Sequence, residues 1–199
     1  MTDWTPAEPL RLYNFLIPSP DVTQIGTWPP EGEMPTLHHM VRIAREAEAA
    51  GFRGLLVPTA YGNYVDNWMA SAMVLARTAR IETLTAIRPN QQHPAQFAKA
   101  AASLAQLSDH RLSVNVVTGG IDSQDAILGM AESPDARMRR AREWLTVVTE
   151  AWASSGIRQD YAFSGEFYDV KGLRIYPVPR LNCVFHCDLQ RRVYHDRAG

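Results

Sequence analysis

The sequence predicts an α/β protein in which parallel strands are covered by crossover helices. Apolar segments rich in strand-forming residues alternate with segments whose apolar residues recur at helical spacing, four times in succession. The second, third and fourth strands are predicted to start near Gly54, Glu82 and Leu112. This regular spacing is the one expected of repeated strand–helix units. Strands joined in this way run parallel, because only a long crossover returns the chain to the same sheet. An eight-stranded barrel and an open doubly wound sheet both have this signature.

The first two units are bounded by recognisable end signals. A strand is predicted in residues 10–17, followed by a loop rich in proline and glycine and a helix from about Thr36. Gly51 stands where the end of that helix favours a left-handed residue. The second strand covers residues 53–59, and Asp66 is the predicted N-cap of the second helix. The inward face of the first helix is predicted to carry Leu37, Met40, Val41, Ala44 and Ala47.

The third and fourth units follow the same plan. Strands are predicted in residues 81–89 and 111–119, with a helix over 94–108 that His93 caps. His38 and His39 are expected to be partly exposed on the first helix. Ser133 and Pro134 form an N-cap and first-turn pair that opens a fourth helix. Its predicted inward stripe is Met138, Ala141, Leu145, Val148 and Trp152, and its solvated face carries Arg137, Arg139, Arg140 and Arg142.

The last part of the chain departs from the repeat. Residues 161–179, "YAFSGEFYDVKGLRIYPVP", alternate aromatic and polar residues around two glycines and predict a β-hairpin. Residues 181–199 lack a convincing buried strand and helix, although "NCVFHC" could form a short strand. We therefore divide the chain into a domain over 1–180 and an atypical tail over 181–199.

Composition excludes several classes of protein. The net charge of −1 comes without a long run of one sign, so nothing predicts binding to nucleic acid or to an anionic membrane. The apolar runs are far shorter than the roughly 20 residues of a membrane-spanning helix. The N-terminus lacks the regions of a signal peptide, and only two cysteines occur, so we expect a cytoplasmic location. Neither GxGxxG after a strand nor a P-loop is present.

The fourth strand, "RLSVNVVTGG", has an unusual polar end. It carries Asn115 in mid-run and finishes in Thr118 and two glycines. Buried amides and hydroxyls are costly unless they are hydrogen-bonded, and at the carboxyl end of a parallel strand the partner is often a ligand. A core amide that ties down a loop is the alternative for Asn115. Thr59 and Arg88 end the second and third strands at the same edge, with a turn hydroxyl and a salt bridge as their respective alternatives.

Several segments together resemble the bacterial luciferase-like flavin monooxygenases. They are "GFRGLLVPT", "DNW", "TAIRP", "LAQLSDHRLSVNVVTGG" and "GEFYDVKGLRIYPVP", in this order, within residues 10–180. The most similar branch is the two-component alkanesulfonate monooxygenases. The resemblance implies a (β/α)8 TIM barrel that binds reduced FMN supplied by a separate NAD(P)H-dependent flavin reductase. With O₂, such enzymes oxidise an alkanesulfonate to an aldehyde and sulfite, and they tend to form homo-oligomers.

The resemblance also assigns cofactor contacts. Asn115 and Thr118 match positions where the fourth strand of the family meets the flavin, and Thr59 is expected to face it. Arg88 is expected to hold a sulfonate or a flavin carbonyl. Asp66 and Trp68 match an acid-x-Trp pattern of the family, in which we expect Asp66 to act first as an N-cap. Catalytic residues stay unknown, because the half of the family that carries them has no counterpart here.

The sequence departs from the sulfonate branch in two positions and in length. That branch has a cysteine after the second strand, where this chain has Asn63 or Tyr64, and a tyrosine often stands where Met138 falls. A barrel takes about 250 residues, whereas these 199 supply four βα units and a hairpin. We therefore expect an N-terminal fragment whose reading frame was truncated or shifted near Arg180.

Other interpretations remain alongside this one. A deazaflavin-dependent oxidoreductase would share the fold, although "NVVTGG" favours FMN. An inactive remnant, or a piece that docks on a partner, would lack the catalytic half. A metal site is not expected, because a structural zinc needs four ligands and the spacing matches no common zinc finger. The residues considered for it are Cys183, His186, Cys187 and His195.

Overall fold

A parallel sheet forms the centre of the computed structural model, which describes residues 11–19, 34–118, 126–129, 132–179 and 185–186. Its strand order is β1-β2-β3-β4-β7, and each neighbouring pair is parallel. A separate antiparallel hairpin joins β5 and β6. The strands are β1 (Tyr13–Phe15), β2 (Gly54–Val57), β3 (Glu82–Ile87), β4 (Leu112–Val116), β5 (Tyr161–Ser164), β6 (Asp169–Leu173) and β7 (Phe185–His186).

In the described part of the chain, four helices alternate with these strands as the sequence predicts. They are α1 (Leu37–Ala49), α2 (Asn67–Leu75), α3 (Pro94–Leu107) and α4 (Pro134–Gly156). The order of strands along the sheet follows the order in the chain, as in a barrel, and excludes the strand reversal of a doubly wound sheet within the described strands. The sheet does not close into a barrel within the described residues.

One face of the sheet is packed against the helices. Leu55 and Val57 of β2 lie in one cluster with residues of α1 and α2. Leu112, Val114 and Val116 of β4 lie in a second cluster with α3 and α4. Because side chains alternate along a strand, Leu56, Leu84, Ser113 and Asn115 point to the opposite face, which is the inner face of a barrel.

On the inner face, at the amino ends of the strands, Gly54 leaves room for a hydrogen bond between the two neighbouring strands. The hydroxyl of Tyr13 reaches across Gly54 of β2 and donates to Glu82 of β3 at 3.1 Å. A Cβ at position 54 would clash with Cε1 of Tyr13 and would lie 2.8 Å from the backbone oxygen of Glu82. Only glycine leaves room for this cross-strand bond.

The predicted helix ends are confirmed. Asp66 accepts hydrogen bonds from the backbone of Trp68 and Met69, both at 2.9 Å. His93 and Ser133 likewise accept from backbone N–H groups in the first turns of α3 and α4. Gly51 has a φ of +86°, which other residues adopt only with strain. Local capping chemistry therefore set these boundaries.

Two predictions for buried positions were wrong in part. In α4, Ala141, Val148 and Trp152 are buried as expected, but Met138 is 42% exposed. The buried face instead includes Trp144, Val147 and Ala151, because α4 meets α3 and the hairpin along a stripe that begins one turn later. In α1, four of the five predicted residues are buried; Leu37 is half-buried, and His39, expected to be partly exposed, is buried.

The arginine face of α4 is only partly solvated. Arg139 donates to both carboxylate oxygens of Glu166 at 2.9 and 3.0 Å. Arg140 binds Glu132, and the two side chains are 25% and 16% exposed. The sequence could not show this, because one carboxylate lies in the hairpin and the other precedes the helix. The prediction of a solvated face is corrected for Arg140.

We expect Glu48→Gln to lower stability and to flatten its dependence on pH in acid. The Glu48 carboxylate accepts hydrogen bonds from the backbone N–H groups of Arg80 and Ile81 at 3.1 and 2.9 Å. Burial raises the pKa of Glu48, but these bonds and the charges of Arg80 and Arg111 outweigh burial and lower the pKa below its ordinary value of 4.5.

A depressed folded-state pKa means that this stabilisation is present above pH 4.5 and is lost as the pH falls through the folded-state value. Urea unfolding at neutral pH should show a loss of about 1–2 kcal/mol for Glu48→Gln. The difference between the two proteins should shrink as the pH falls below 4.5. An exposed control, Glu46→Gln, should change little, and equal losses in both variants would contradict this account.

Candidate active site

The four predicted cofactor contacts all lie at the carboxyl edge of the sheet. Asn115 lies within β4, level with Ala86 of β3. Arg88 directly follows β3, while Thr59 and Thr118 lie two residues beyond β2 and β4. Active sites of parallel barrels are built at this edge, because the loops that follow the strands converge there.

The amide of Asn115 lies on the inner face of the sheet. Its neighbours Val114 and Val116 are buried against helices, so its side chain points the other way. The residue is half-buried, and its amide forms no hydrogen bond with another described residue. The hydroxyls of Thr118 and Thr59 are likewise half-buried and without a hydrogen bond to another described residue. These groups can donate to and accept from a bound molecule.

Arg88 is buried next to this edge. It is 5% exposed, which does not fit a salt bridge on the surface. It has an interaction within the protein, so a salt bridge to a loop stays the alternative to a ligand contact. Its carbonyl accepts from the backbone N–H of Gln91 at 3.0 Å, which closes a turn after β3. This turn fixes the backbone of Arg88, so its positively charged side chain begins one residue beyond the strand end.

Thr59 lies in a different environment. It lines a cleft of about 830 Å³ that runs between the loop after β2, α2 and α3. Most of the lining is apolar, with Met69, Ala72, Leu104 and Leu107 among its residues. Arg88, Asn115 and Thr118 do not line this cleft. The structure therefore brings Arg88 and Asn115 onto neighbouring strands and leaves Thr59 towards the helices, so a flavin contact by Thr59 stays a prediction.

Two side chains fix the start of α2 on this edge: Trp68, which the acid-x-Trp pattern singled out, and Asn67, which no sequence prediction named. Nδ2 of Asn67 and Nε1 of Trp68 both donate to the carbonyl of Ala86, at 2.8 and 3.2 Å. Ala86 is the strand partner of Asn115, so α2 is anchored next to the candidate site. The segment "DNW" contains both donors, but the sequence does not show that they reach the carbonyl of Ala86.

The loop between β3 and α3 is held from outside by two aromatic residues. The hydroxyl of Tyr168 donates to the carbonyl of Pro89 at 3.0 Å, and Nε1 of Trp144 donates to the carbonyl of Gln92 at 2.9 Å. Burial raises the pKa of Tyr168 despite the lowering influence of Arg140, so the hydroxyl keeps its proton at neutral pH. The loop that carries Arg88 thus depends on α4 and the hairpin for its position.

The structure describes no metal site and no membrane span. Among the described residues, no three or more His, Cys, Asp or Glu side chains are grouped as metal ligands. Cys183, Cys187 and His195 lie outside the described residues, and only the backbone of His186 is described. No helix in the described part of the chain is long and apolar enough to cross a membrane.

Comparison with solved structures shows the same fold in longer proteins. The monooxygenase RslO1 from Streptomyces bottropensis is 20% identical with a TM-score of 0.70, and 87% of this chain covers 51% of that protein. The long-chain alkane monooxygenase LadA is 19% identical with a TM-score of 0.71, and the covered shares are 87% and 49%.

A third solved structure was determined with FMN bound. It is the oxygenating constituent of 3,6-diketocamphane monooxygenase from the CAM plasmid of Pseudomonas putida, with 16% identity and a TM-score of 0.64. There, 81% of this chain covers 43% of the other protein, so the chain spans about half the length of the structures it matches. The family model described as luciferase-like monooxygenase matches residues 20–195. The chain therefore belongs to the luciferase-like monooxygenase family.

Proposed function

We propose that this chain supplies the flavin-binding edge of a monooxygenase that uses reduced FMN from a separate flavin reductase, together with O₂. The substrate we propose is an alkanesulfonate or a related small organosulfur compound. The observation that carries the proposal is the half-buried amide of Asn115, which lies at the carboxyl edge and has no hydrogen-bond partner among the described residues.

The polar groups at this edge fit a flavin. An isoalloxazine ring presents alternating donors and acceptors along one edge, and the amide of Asn115 can match both kinds. The hydroxyl of Thr118 can bond to a ribityl hydroxyl, and Arg88 supplies positive charge from the neighbouring strand. When bound and reduced, FMN would supply the electrons that activate O₂. The residues of this chain would bind and orient it.

The buried positive charge of Arg88 favours a substrate that is an anion. A buried guanidinium binds a sulfonate well, because its fork of N–H donors matches two oxygens of the anion. Arg88 could equally hold a flavin carbonyl, so the choice of substrate depends on experiment. Thr59 is the fourth proposed cofactor contact, and it would reach the flavin from the loop after β2.

The test is an anaerobic titration of the protein with reduced FMN, followed by tryptophan fluorescence. We expect saturable binding in the micromolar range. Asn115→Ala should raise the dissociation constant by about tenfold, the equivalent of about 1.4 kcal/mol. Thr118→Val, which replaces the hydroxyl with a methyl group of similar size, should raise it by about threefold. Thr149→Val on the exposed side of α4 is the matched control and should leave it unchanged.

The substrate is tested separately with a flavin reductase, NADH, O₂ and a series of alkanesulfonates. Sulfite release that depends on every component would support the organosulfur proposal. Flavin binding without sulfite release would exclude these substrates for this chain and keep the flavin site. A folded protein that binds a deazaflavin but not FMN, or neither one, would overturn the proposed cofactor.

A further inference from the structure

Arg140 of α4 lies between Glu132, which precedes the helix, and two aromatic residues of the hairpin. On one side its Nε donates to both carboxylate oxygens of Glu132, at 2.8 and 3.1 Å, and its Nη2 also binds that carboxylate. On the other side its guanidinium carbon lies 4.3 Å from the ring centre of Phe167 and 5.7 Å from that of Tyr168. A planar cation held by a carboxylate and placed over aromatic faces has a defined position.

The two aromatic residues are themselves fixed to α4 by a carboxylate. Glu143, one turn after Arg140, accepts from the backbone N–H groups of Glu166 and Phe167 at 2.8 and 2.9 Å. Tyr168 is then 8% exposed and packs its ring edge-to-face against His93, with 5.6 Å between ring centres. α4 therefore fixes the segment that carries the Tyr168 ring.

The Tyr168 hydroxyl links this ring to the loop that carries Arg88. It donates to the carbonyl of Pro89, the residue directly after Arg88. Arg88 itself closes a turn with Gln91, so movement at Pro89 changes where the guanidinium lies. An arginine on a helix that was predicted to face solvent is thus linked through one ring and one hydrogen bond to the end of β3.

We propose that Arg140 is a positioning residue that acts through Tyr168 to hold the loop after β3, and with it Arg88, in place for binding. The proposal rests on the proposed function, because the position of Arg88 matters only if a flavin or a sulfonate binds beside it. Arg140 needs no contact with either ligand for this role. Its removal should loosen one loop and leave the rest of the sheet intact.

The experiment compares three single variants in two measurements. Arg140→Met removes the charge and the carboxylate contact, and Tyr168→Phe removes only the oxygen that reaches Pro89. Arg139→Gln is the matched control, because Arg139 also ties α4 to the hairpin through Glu166 but does not contact Tyr168. Amide hydrogen exchange by mass spectrometry reports on residues 88–93, and titration with reduced FMN reports on binding.

We expect Arg140→Met and Tyr168→Phe to accelerate exchange in residues 88–93 by about fivefold, with little change in β2 or α1. Both should raise the dissociation constant for FMN by about three- to tenfold. Arg139→Gln should do neither. Because Arg140 acts through Tyr168, the double variant should change the exchange rate and the dissociation constant no more than the more affected single variant does. Independent effects would instead multiply.

The possible results separate this inference from the proposed function. If the parent protein binds FMN and Arg140→Met changes neither measurement, the positioning role is overturned while the flavin site stands. Faster exchange throughout the chain, or an equal effect in Arg139→Gln, would also overturn it, since both indicate general destabilisation. If the parent protein does not bind FMN, the proposed function fails, and exchange in residues 88–93 alone decides whether Arg140 holds the loop. Tyr168→Phe keeps that measurement informative if Arg140→Met does not fold.

Discussion

Trp144→Ala is expected to lower the free energy of unfolding by about 3–5 kcal/mol. The Trp144 side chain is fully buried, and its ring centre lies 4.4 Å from that of Phe97 in α3. Phe97 in turn meets Trp68 of α2 edge-to-face at 5.3 Å. Alanine would leave a large cavity between three helices and would release the carbonyl of Gln92 from its hydrogen bond.

Trp144→Phe separates these two contributions. It keeps an aromatic ring against Phe97 but lacks the Nε1–H donor, so we expect a loss of about 1–2 kcal/mol. Both variants are measured by urea unfolding followed by far-UV circular dichroism. A loss below about 1 kcal/mol for Trp144→Ala would show that the helices do not depend on this contact for their packing.

Arg111→Met is expected to lower the free energy of unfolding by about 2–4 kcal/mol, nearly as much as Trp144→Ala. The guanidinium donates to the carbonyls of Leu75, Ile81 and Ser108 at 2.7, 3.1 and 2.9 Å. It also donates to the hydroxyl of Thr78 at 3.2 Å. These acceptors belong to the end of α2, the residue before β3 and the end of α3. One side chain therefore joins three segments at the amino end of β4. Methionine matches the stem but leaves these partly buried acceptors without their donor.

Arg111→Lys and Arg80→Met are the comparisons for this prediction. Lysine keeps the charge but cannot direct donors to four acceptors at once, so it should recover less than half of the loss. Arg80 pairs with Glu48 at 3.5 Å and its side chain is 78% exposed, so Arg80→Met should cost under about 1 kcal/mol. If the Arg80 and Arg111 variants lose equal stability, loss of positive charge and not the directed bonds would be the cause.

The order of strands and helices could be predicted because its signals are local. Apolar periodicity distinguishes α3 from β4 within a few residues, and Asp66, His93 and Ser133 bond to backbone only two or three positions away. The polar end of β4 was visible for the same reason, since Asn115 interrupts an apolar run. The signals failed in α4, where the buried stripe depends on where α3 and the hairpin touch it. Trp144 is buried and Met138 is exposed for this reason.

The family, the order of the βα units and the polar groups at the carboxyl ends of the strands could all be predicted from the sequence. The three-dimensional fold was needed to show that Thr59 lines a separate cleft and that Arg140 binds Glu132 beside Tyr168. It was also needed to show that Arg111 joins three segments, one of which lies 36 positions before it in the chain. The two kinds of information differ in how far along the chain the interactions reach. Caps and periodicity act between residues close in the chain, whereas an arginine can bind any acceptor that folding brings near, and the sequence does not show which one that is.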